Sequence, residues 1–460
     1  MNSTGSTAED VQPSSRPLPR DILDAVFELL IQDALLLEAY VGMYLAYTRE
    51  MLRLVCSDWN SIILNNPTLW TTISLSTTAD GFDRRLEAVE SQIPRSGTLG
   101  LHLRIEQDWQ TIFMCSRTPR SENDGCIFSG ASRAAATTSL VSFLQRYCHR
   151  WETAKILSPS RLIPIGKLFD GVAEDEPSNW SALRQLNIVA SAYHHSIEDD
   201  AHDALNLPAE RFPALRSFTL GNMSTPVVVK WTFPWSQLTE LSLDGLPGKY
   251  PPYRNILTQC TSLQTLQLGL SFSDDSSSQQ PVGPQITLPA LLSLSINLFN
   301  IHPSFMTTIL EQLHIPRLQQ LRYNQKPGTQ VELGLAALGA LSRIVEKSQC
   351  KLEALDLAVA RSRRPPQVND DAIGSIIRSC QSSLRTLRIS VPSPTCKFLE
   401  NFSPGQGLEN IVVENVRSKA GGDGDGDSGK VAFERWLATQ SVDEGGKVTW
   451  TASYTHHCEE

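Results

Sequence analysis

Short apolar strings of the form L-x-x-L-x-L recur along the chain, separated by polar or helix-patterned segments. The interval between the first residues of successive strings ranges from 23 residues (Leu215 to Leu238) to 34 residues (Leu318 to Leu352). Because apolar side chains alternate within each string, each string predicts a short strand with one buried face. The nine strings begin at Leu183, Leu215, Leu238, Leu263, Leu291, Leu318, Leu352, Leu384 and Leu408.

The spacing of these strings predicts how the strands assemble. These intervals overlap the roughly 20 to 29 residues of a leucine-rich repeat, and the longer ones indicate insertions. A degenerate string at Trp151 and an alternating segment from Leu99 to Ile105 extend the array toward the N-terminus. One repeat cannot bury its own apolar face, so the strands must stack side by side with helices or loops outside them. We therefore predict an α/β fold, with an irregular leucine-rich-repeat solenoid over residues 98–416.

A different apolar pattern, with helical spacing, occupies residues 17–75. In its first half, one helical stripe consists of Leu18, Ile22, Val26 and Leu30. Leu23 and Phe27 flank this stripe. In its second half, positions i, i+3, i+4 and i+7 predict another amphipathic helix through Leu52, Val55, Cys56 and Trp59. Two such helices indicate either the core of a small helical domain or a docking surface for a partner.

Three motifs in this block resemble the F-box of fungal F-box proteins: LPRDIL at 18–23, VC-x-x-W at 55–59 and NNPTLW at 65–70. The sequence departs from that family in a long apolar segment at 31–47 and in Asn60, where the family usually carries arginine. The resemblance implies a small α-helical F-box that binds a Skp-family adaptor, and through it the cullin subunits of a ubiquitin ligase. The residues that it assigns to adaptor binding are Leu18, Pro19, Ile22, Leu23, Leu52, Val55, Cys56 and Trp59. Some of them must face the core of the module, and the sequence does not sort them.

F-box proteins frequently carry irregular leucine-rich repeats after the F-box, so the two halves agree. The resemblance therefore implies the substrate-recognition subunit of a ubiquitin ligase, whose repeats bind a target protein. The alternative is a leucine-rich-repeat interaction scaffold, unrelated to ubiquitin, in which the N-terminal helices cap the array. We expect no catalytic residue and no cofactor, because the chain contains no GxSxG, GxxxxGK[ST], GxGxxG or HExxH motif.

The position between the last two apolar residues of each string predicts where a target binds, because side chains alternate along a strand. In chain order these positions are Asn187, Thr219, Ser242, Gln267, Ser295, Arg322, Asp356, Arg388 and Val412. Charge first appears at Arg322, so we expect target contacts at Arg322, Asp356 and Arg388. The alternative is that the two arginines pair with Asp356 or neighbouring acids as a solvated ladder.

Composition narrows the class of partner. The net charge is -9 and no large Lys/Arg cluster occurs, so nucleic acid is not expected as a partner. The longest apolar stretch, 34–47, is shorter than the roughly 20 residues that span a bilayer, and residues 1–16 form a polar tail predicted to be disordered. We expect an intracellular protein, in the cytoplasm or nucleus, with no membrane partner. An acidic Gly/Asp linker at 417–430 and a C-terminal segment at 431–460 follow the repeats.

Two acidic segments resemble metal sites, and both are better explained as polar loops. His195 and Asp199 would share a helical face within 194–202, but this segment lies where a connecting loop is expected. Residues 423–434 imitate a calcium loop, but Ser428 occupies the position where glycine makes the sharp turn. Segments 116–138, 271–284 and 361–371 are also predicted to be loops or linkers. We interpret four cysteines ahead of the strings as buried structural residues: Cys148, Cys260, Cys350 and Cys380.

Overall fold

A computed structural model shows two compact units, Met1–Asp124 (unit 1) and Gly125–Glu460 (unit 2). No helix among the described residues is long and apolar enough to cross a membrane. The structure describes residues 18–36, 41–76, 82–106, 130–158, 168–169, 179–190, 207–221, 231–247, 250–271, 285–298, 309–325, 331–359, 370–391, 409–417 and 447–454.

Unit 1 begins with helices and contains two parallel strands. Its elements are α1 (Arg20–Leu36), α2 (Val41–Arg53), α3 (Ser57–Asn65), a 3-10 helix (Pro67–Trp70), β1 (Thr72–Ser76), α4 (Phe82–Glu90), a second 3-10 helix (Ile93–Ser96) and β2 (Leu101–Glu106). Ile73 of β1 pairs with Leu103 of β2, and Leu75 pairs with Ile105. All four side chains are buried, so the strand pair has one apolar face.

The core of unit 1 is centred on three residues of α1 that are spaced four positions apart, namely Leu23, Phe27 and Ile31. This spacing places them on one face of the helix. That face joins buried residues from the other helices: Leu45, Leu52, Ile62, Ile63, Leu69 and Trp70. The Trp70 indole Nε1 donates a hydrogen bond to the Ile63 carbonyl at 2.7 Å, so the NNPTLW motif closes the core.

A buried arginine connects α2 to the rest of unit 1. Arg49 is only 4% exposed, and its Nη2 donates to the Thr72 carbonyl at 3.1 Å while its Nη1 donates to Gln92 Oε1 at 3.4 Å. Its guanidinium also lies over the Trp70 ring, 5.1 Å from the centroid. Burial lowers the pKa of Arg49 to about 10, so the group remains charged at neutral pH and its hydrogen bonds are charge-assisted.

The structure replaces the second predicted helix with two shorter ones. α2 ends at Arg53 and α3 begins at Ser57, and the intervening Cys56 caps α3 by accepting a hydrogen bond from the Trp59 backbone N–H at 3.5 Å. Because a side-chain acceptor satisfies an N–H at a helix start, the chain can leave the helical conformation there. The expectation that Leu52, Val55, Cys56 and Trp59 form one stripe is therefore wrong.

Unit 2 alternates strands with helices and loops. Its helices are α5 (Gly130–Arg146), α6 (Tyr250–Gln259), α7 (Val331–Ser348) and α8 (Asp370–Cys380), with 3-10 helices at Cys148–Arg150 and Trp235–Gln237. Its strands are β3 (Trp151–Ser158), β4 (Gln185–Ala190), β5 (Ser217–Gly221), β6 (Glu240–Pro247), β7 (Thr265–Ser271), β8 (Ile286–Thr287), β9 (Ser293–Leu298), β10 (Leu313–His314), β11 (Gln320–Gln325), β12 (Ala354–Ala358), β13 (Thr386–Val391), β14 (Asn410–Arg417) and β15 (Lys447–Tyr454).

The strands of unit 2 form a large parallel sheet that follows chain order from β3 to β15, while β8 and β10 form a separate parallel pair. All nine predicted strings supply strands of the large sheet, and their apolar positions are in register. The first buried row across the strands is Leu186, Phe218, Leu241, Leu266, Leu294, Leu321, Leu355, Leu387 and Ile411. A mixed α/β fold with parallel strands, as the sequence predicts, is therefore confirmed.

Three features differ from the sequence-based boundaries. β15 lies within the predicted C-terminal segment and pairs with β14, so the sheet continues beyond residue 416. α5 begins at Gly130, so the predicted loop 116–138 is wrong over its last residues. β1 lies before residue 98, where the repeat region was predicted to begin, whereas β2 coincides with the strand predicted from Leu99 to Ile105, and both strands belong to unit 1.

Three of the four cysteines ahead of the strings, Cys260, Cys350 and Cys380, are buried as predicted, whereas Cys148 is half-buried. Cys260 and Cys380 donate from Sγ to the carbonyls of Ile256 and Ile376, at 3.3 and 3.0 Å. Burial raises the pKa of each of these two thiols to about 12. A thiol that stays protonated is a poor nucleophile and a poor metal ligand, which agrees with a structural role.

We expect Leu266→Asp to disrupt more than its own strand. Leu266 is buried between Leu241 on β6 and Leu294 on β9, so an unpaired carboxylate there would enter the shared core. Hydrogen exchange should show lost protection in β6, β7 and β9 together. Gln267→Asp is the matched control, because Gln267 is the next residue in β7 and faces outward. This variant should keep the amide protection of the three strands. Loss confined to β7 would contradict a continuous core.

We also expect stability to fall with increasing alkalinity because of the buried thiols. In the unfolded chain a thiol loses its proton near its ordinary pKa of 9.0, but Cys260 and Cys380 retain theirs up to about 12. The folded state therefore binds more protons between these values, and each thiol should cost roughly 1 kcal/mol of unfolding free energy between pH 8 and 10. Urea unfolding of a Cys260→Ser/Cys380→Ser variant, which keeps a hydrogen-bond donor, should show a smaller loss. An unchanged pH slope would exclude these thiols as its cause.

Candidate protein-binding surface

Exposed large apolar side chains concentrate on the helices of unit 1. Among the described residues, eight of the ten such side chains lie on α1, on α2 or in the turn after α2; a ninth, Leu18, lies two residues before α1, and the tenth is Leu99. We call the nine the apolar surface: Leu18, Ile22, Val26, Leu29, Leu30, Tyr47, Met51, Leu54 and Val55. Scattered single apolar residues are ordinary on a protein exterior, whereas many on neighbouring elements mark an interaction site.

Helix α1 carries apolar residues on two faces, which explains how it contributes to both the core and the apolar surface. Phe27 is fully buried, whereas Leu29, two positions further on and therefore on another side of the helix, is 65% exposed. A helix that packs on its own domain alone needs one apolar stripe and a polar opposite face. The second apolar face of α1 is therefore unexplained by the fold of unit 1.

The structure divides the residues that the sequence assigned to adaptor binding. Leu23 and Leu52 are buried in the core of unit 1. Trp59 is half-buried, and its ring packs edge-on against Phe27 with centroids 4.8 Å apart. The remaining assigned residues are exposed: Leu18, Pro19, Ile22, Val55 and Cys56.

Several members of the apolar surface were missed by the sequence analysis. Leu29 follows Ile22 and Val26 at i+7 and i+3, a spacing that already placed it beside them on a helix. Leu54 is 77% exposed because it lies in the turn between α2 and α3. No spacing rule could identify Leu54, because the sequence predicted an uninterrupted helix at this point.

Hydrogen bonds fix the turn that presents Leu54 and Val55. Arg53, at the end of α2, donates from Nε to Asn60 Oδ1 at 3.0 Å and from Nη1 to Glu50 Oε1 at 2.6 Å. Asn60 thus accepts a bond that bridges α2 and α3. Asn66 reaches α1 by donating to Asp24 Oδ1 at 3.2 Å. The three helices are therefore held together by polar contacts as well as by their core.

The charged residues predicted to contact a target lie on neighbouring strands of unit 2. Arg322 pairs in register with Asp356, and Asp356 with Arg388. Arg322 Nε and Asp356 Oδ2 form an ion pair at 3.0 Å, in which the Arg322 side chain is 65% exposed. The alternative of a solvated ladder therefore accounts for Arg322 and Asp356, since exposed pairs of this kind contribute about 1 kcal/mol or less.

The segments that resemble metal sites, 194–202 and 423–434, lie outside the described residues. In the part of the chain that the structure describes, no group of three or more potential metal ligands comes together. The described residues therefore offer the apolar surface of unit 1 and the outward face of the sheet in unit 2 as places where a partner could bind.

Comparison with models of known protein families and with curated proteins found no match to the chain. Its function is therefore argued from its own residues.

We expect the two apolar faces of α1 to differ in their effect on stability. Phe27→Ala removes a fully buried ring from the core and should destabilise unit 1 by about 3–5 kcal/mol. Leu29→Ala, on the exposed face of the same helix, should change stability by about 0.5 kcal/mol or less. Hydrogen exchange of the α1 and α3 amides measures both effects. Equal losses would mean that Leu29 belongs to the core.

Proposed function

We propose that the chain is the substrate-recognition subunit of a Skp/cullin/F-box ubiquitin ligase. Its helices α1 to α3 act as an F-box that binds a Skp-family adaptor through the apolar surface, and its repeats bind a target protein. The observation that carries the proposal is the concentration of nine exposed apolar side chains on α1 and α2 and in the chain segments next to them. The same part of the chain also contains the sequence motifs that resemble the F-box.

Burial of the apolar surface by a partner would be strongly favourable. Removing apolar area from water contributes about 25 cal/mol per Å² before the cost of association is subtracted. The exposed side chains are leucine, isoleucine, valine, methionine and tyrosine, and the exposed side chain of Val55 lies next to that of Leu54 in a turn braced by Arg53 and Asn60. A surface already held in shape loses little entropy when a partner docks.

The proposal interprets unit 2 as an irregular leucine-rich-repeat solenoid. Support comes from the strand order, which follows the chain, and from apolar rows that continue in register from β4 to β14. Such an array offers a long strand-lined face whose side chains do not contribute to the core. In this chain that face is mostly polar and uncharged, as at Thr219, Ser242 and Ser295.

The competing function is an interaction scaffold in which the N-terminal helices only cap the repeats. A cap must present a polar outer face to keep an array soluble. The outer face of α1 instead exposes Ile22, Val26 and Leu29. This observation favours docking over capping.

In the proposed complex this chain contributes binding and proximity, and catalysis comes from other subunits. The absence of a catalytic residue in this chain stays a prediction. So does its location in the cytoplasm or nucleus, where a cullin-based ligase would meet it.

We expect Ile22→Ser/Val55→Ser to weaken adaptor binding by about tenfold or more, because both side chains are exposed apolar anchors on different elements. The full chain and a purified Skp-family adaptor would be compared by calorimetry. Leu99→Ser is the matched control, since Leu99 is exposed in the same unit but lies outside the apolar surface.

The control should bind the adaptor as the unmodified chain does, and all variants should retain their melting temperature. Unchanged affinity of the double variant would remove the apolar surface from the proposal. Failure of the unmodified chain to bind any Skp-family adaptor would overturn the F-box function itself.

A further inference from the structure

The second residue of each string forms a continuous row just before the strands of unit 2. The backbone N–H of each member donates to the carbonyl of the preceding one, for example Arg216 to Arg184 at 2.9 Å and Arg385 to Glu353 at 2.8 Å. Neighbours in this row are therefore separated by about the 4.8 Å of adjacent strands. We call these residues the entry row: Glu152, Arg184, Arg216, Thr239, Gln264, Leu292, Gln319, Glu353, Arg385 and Glu409.

Charges at the C-terminal end of the entry row alternate in sign and neutralise one another. Glu353, Arg385 and Glu409 are consecutive members, and Arg385 Nη1 forms an ion pair with Glu409 Oε1 at 2.8 Å. The nearby pair Arg322–Asp356 follows the same arrangement on the strands themselves. Opposite charges on adjacent strands stabilise a sheet slightly, whereas like charges destabilise it.

The N-terminal end of the entry row breaks this arrangement. Arg184 and Arg216 are consecutive members, and both are exposed. Neither arginine forms an ion pair with any of the described residues. Arg184 is not paired even with Glu152, which precedes it in the row. Arg216 Nη1 donates only to backbone carbonyls, to Pro213 at 2.9 Å and to Leu215 at 2.8 Å. Two adjacent positive charges thus lack the compensation that Arg385 has.

We propose that Arg184 and Arg216 bind an acidic segment of a protein partner, each arginine taking one carboxylate. The carbonyl bonds hold the Arg216 guanidinium against its own turn and leave its Nε and Nη2 edge for a planar carboxylate. A planar carboxylate matches this edge of the Arg216 guanidinium, because two parallel N–H groups can donate to its two oxygens. An acidic partner also relieves the repulsion between the two arginines.

This inference names the chemistry of the target side and rests on the proposed role of unit 2 as a binding surface. The charged contact with a target is therefore placed at the start of the array. The sequence had placed it in the later repeats, where Arg322 is already paired with Asp356. The whole chain has a net charge of -9, which disfavours non-specific binding of an acidic peptide, so such a peptide needs a local basic site.

The test uses the full chain and a fluorescently labelled hexaglutamate peptide, with hexaglutamine as the uncharged control peptide. Fluorescence anisotropy at low ionic strength should show binding of hexaglutamate only. Arg184→Gln/Arg216→Gln should weaken that binding by about tenfold or more, as expected for loss of two charge-assisted contacts. Arg385→Gln, at the equivalent position but already paired with Glu409, should change it by about twofold or less.

Equal binding by the double variant and by Arg385→Gln would overturn the proposal, as would equal binding of the two peptides. A phosphoserine peptide that binds where hexaglutamate does not would overturn the assignment to carboxylates. Adaptor binding is measured on the same preparations. If Arg184→Gln/Arg216→Gln loses peptide binding but still binds the adaptor, the result supports the arginine site independently of the F-box. If the unmodified chain binds hexaglutamate but no adaptor, the ligase function is refuted and the arginine site is retained.

Discussion

The register of the apolar rows is the constraint on which unit 2 depends. Each strand of the large sheet from β4 to β14 contributes at least two inward side chains, and these are covered by their counterparts on neighbouring strands. Leu266 is buried only because Leu241 and Leu294 lie beside it. A shift of one residue would turn both rows outward, since strand side chains alternate. Gly269 reinforces this register, because Asp244 on the paired strand occupies the space that a Cβ atom would need.

Unit 1 distributes its apolar residues differently. Its core is complete with one face of α1, with Trp70 bonded to Ile63 and with Arg49 stacked on Trp70. The apolar residues that remain on α1 and α2 and in the following turn add nothing to that core. Keeping them in water is unfavourable, which is the basis of their proposed role in binding. The same residue types therefore serve stability in unit 2 and, in the proposed function, binding in unit 1.

Sequence reasoning was reliable where a pattern repeats. The nine strings located their strands because the alternation of apolar and polar residues reflects one buried face, and parallel register followed from equivalent positions. It was less reliable where one hydrogen bond decides the outcome. Cys56 caps the start of α3 by accepting a single bond from the Trp59 N–H, and Leu54 and Val55 are exposed in the turn that separates α2 from α3. Spacing rules assume a continuous helix and could not show this.

The two proposed surfaces use different physical forces, which allows one chain to bind two partners independently. Apolar contact at α1 and α2 is little affected by moderate salt, because it arises from the release of water. Binding of carboxylates by Arg184 and Arg216 is electrostatic and occurs at exposed side chains, so it weakens as the Debye length shortens from about 30 Å at 0.01 M salt to about 8 Å at 0.15 M. In the proposed complex, docking of the adaptor would then remain stable while a target exchanges. A subunit that delivers successive targets to one catalytic assembly would need this difference in lifetime.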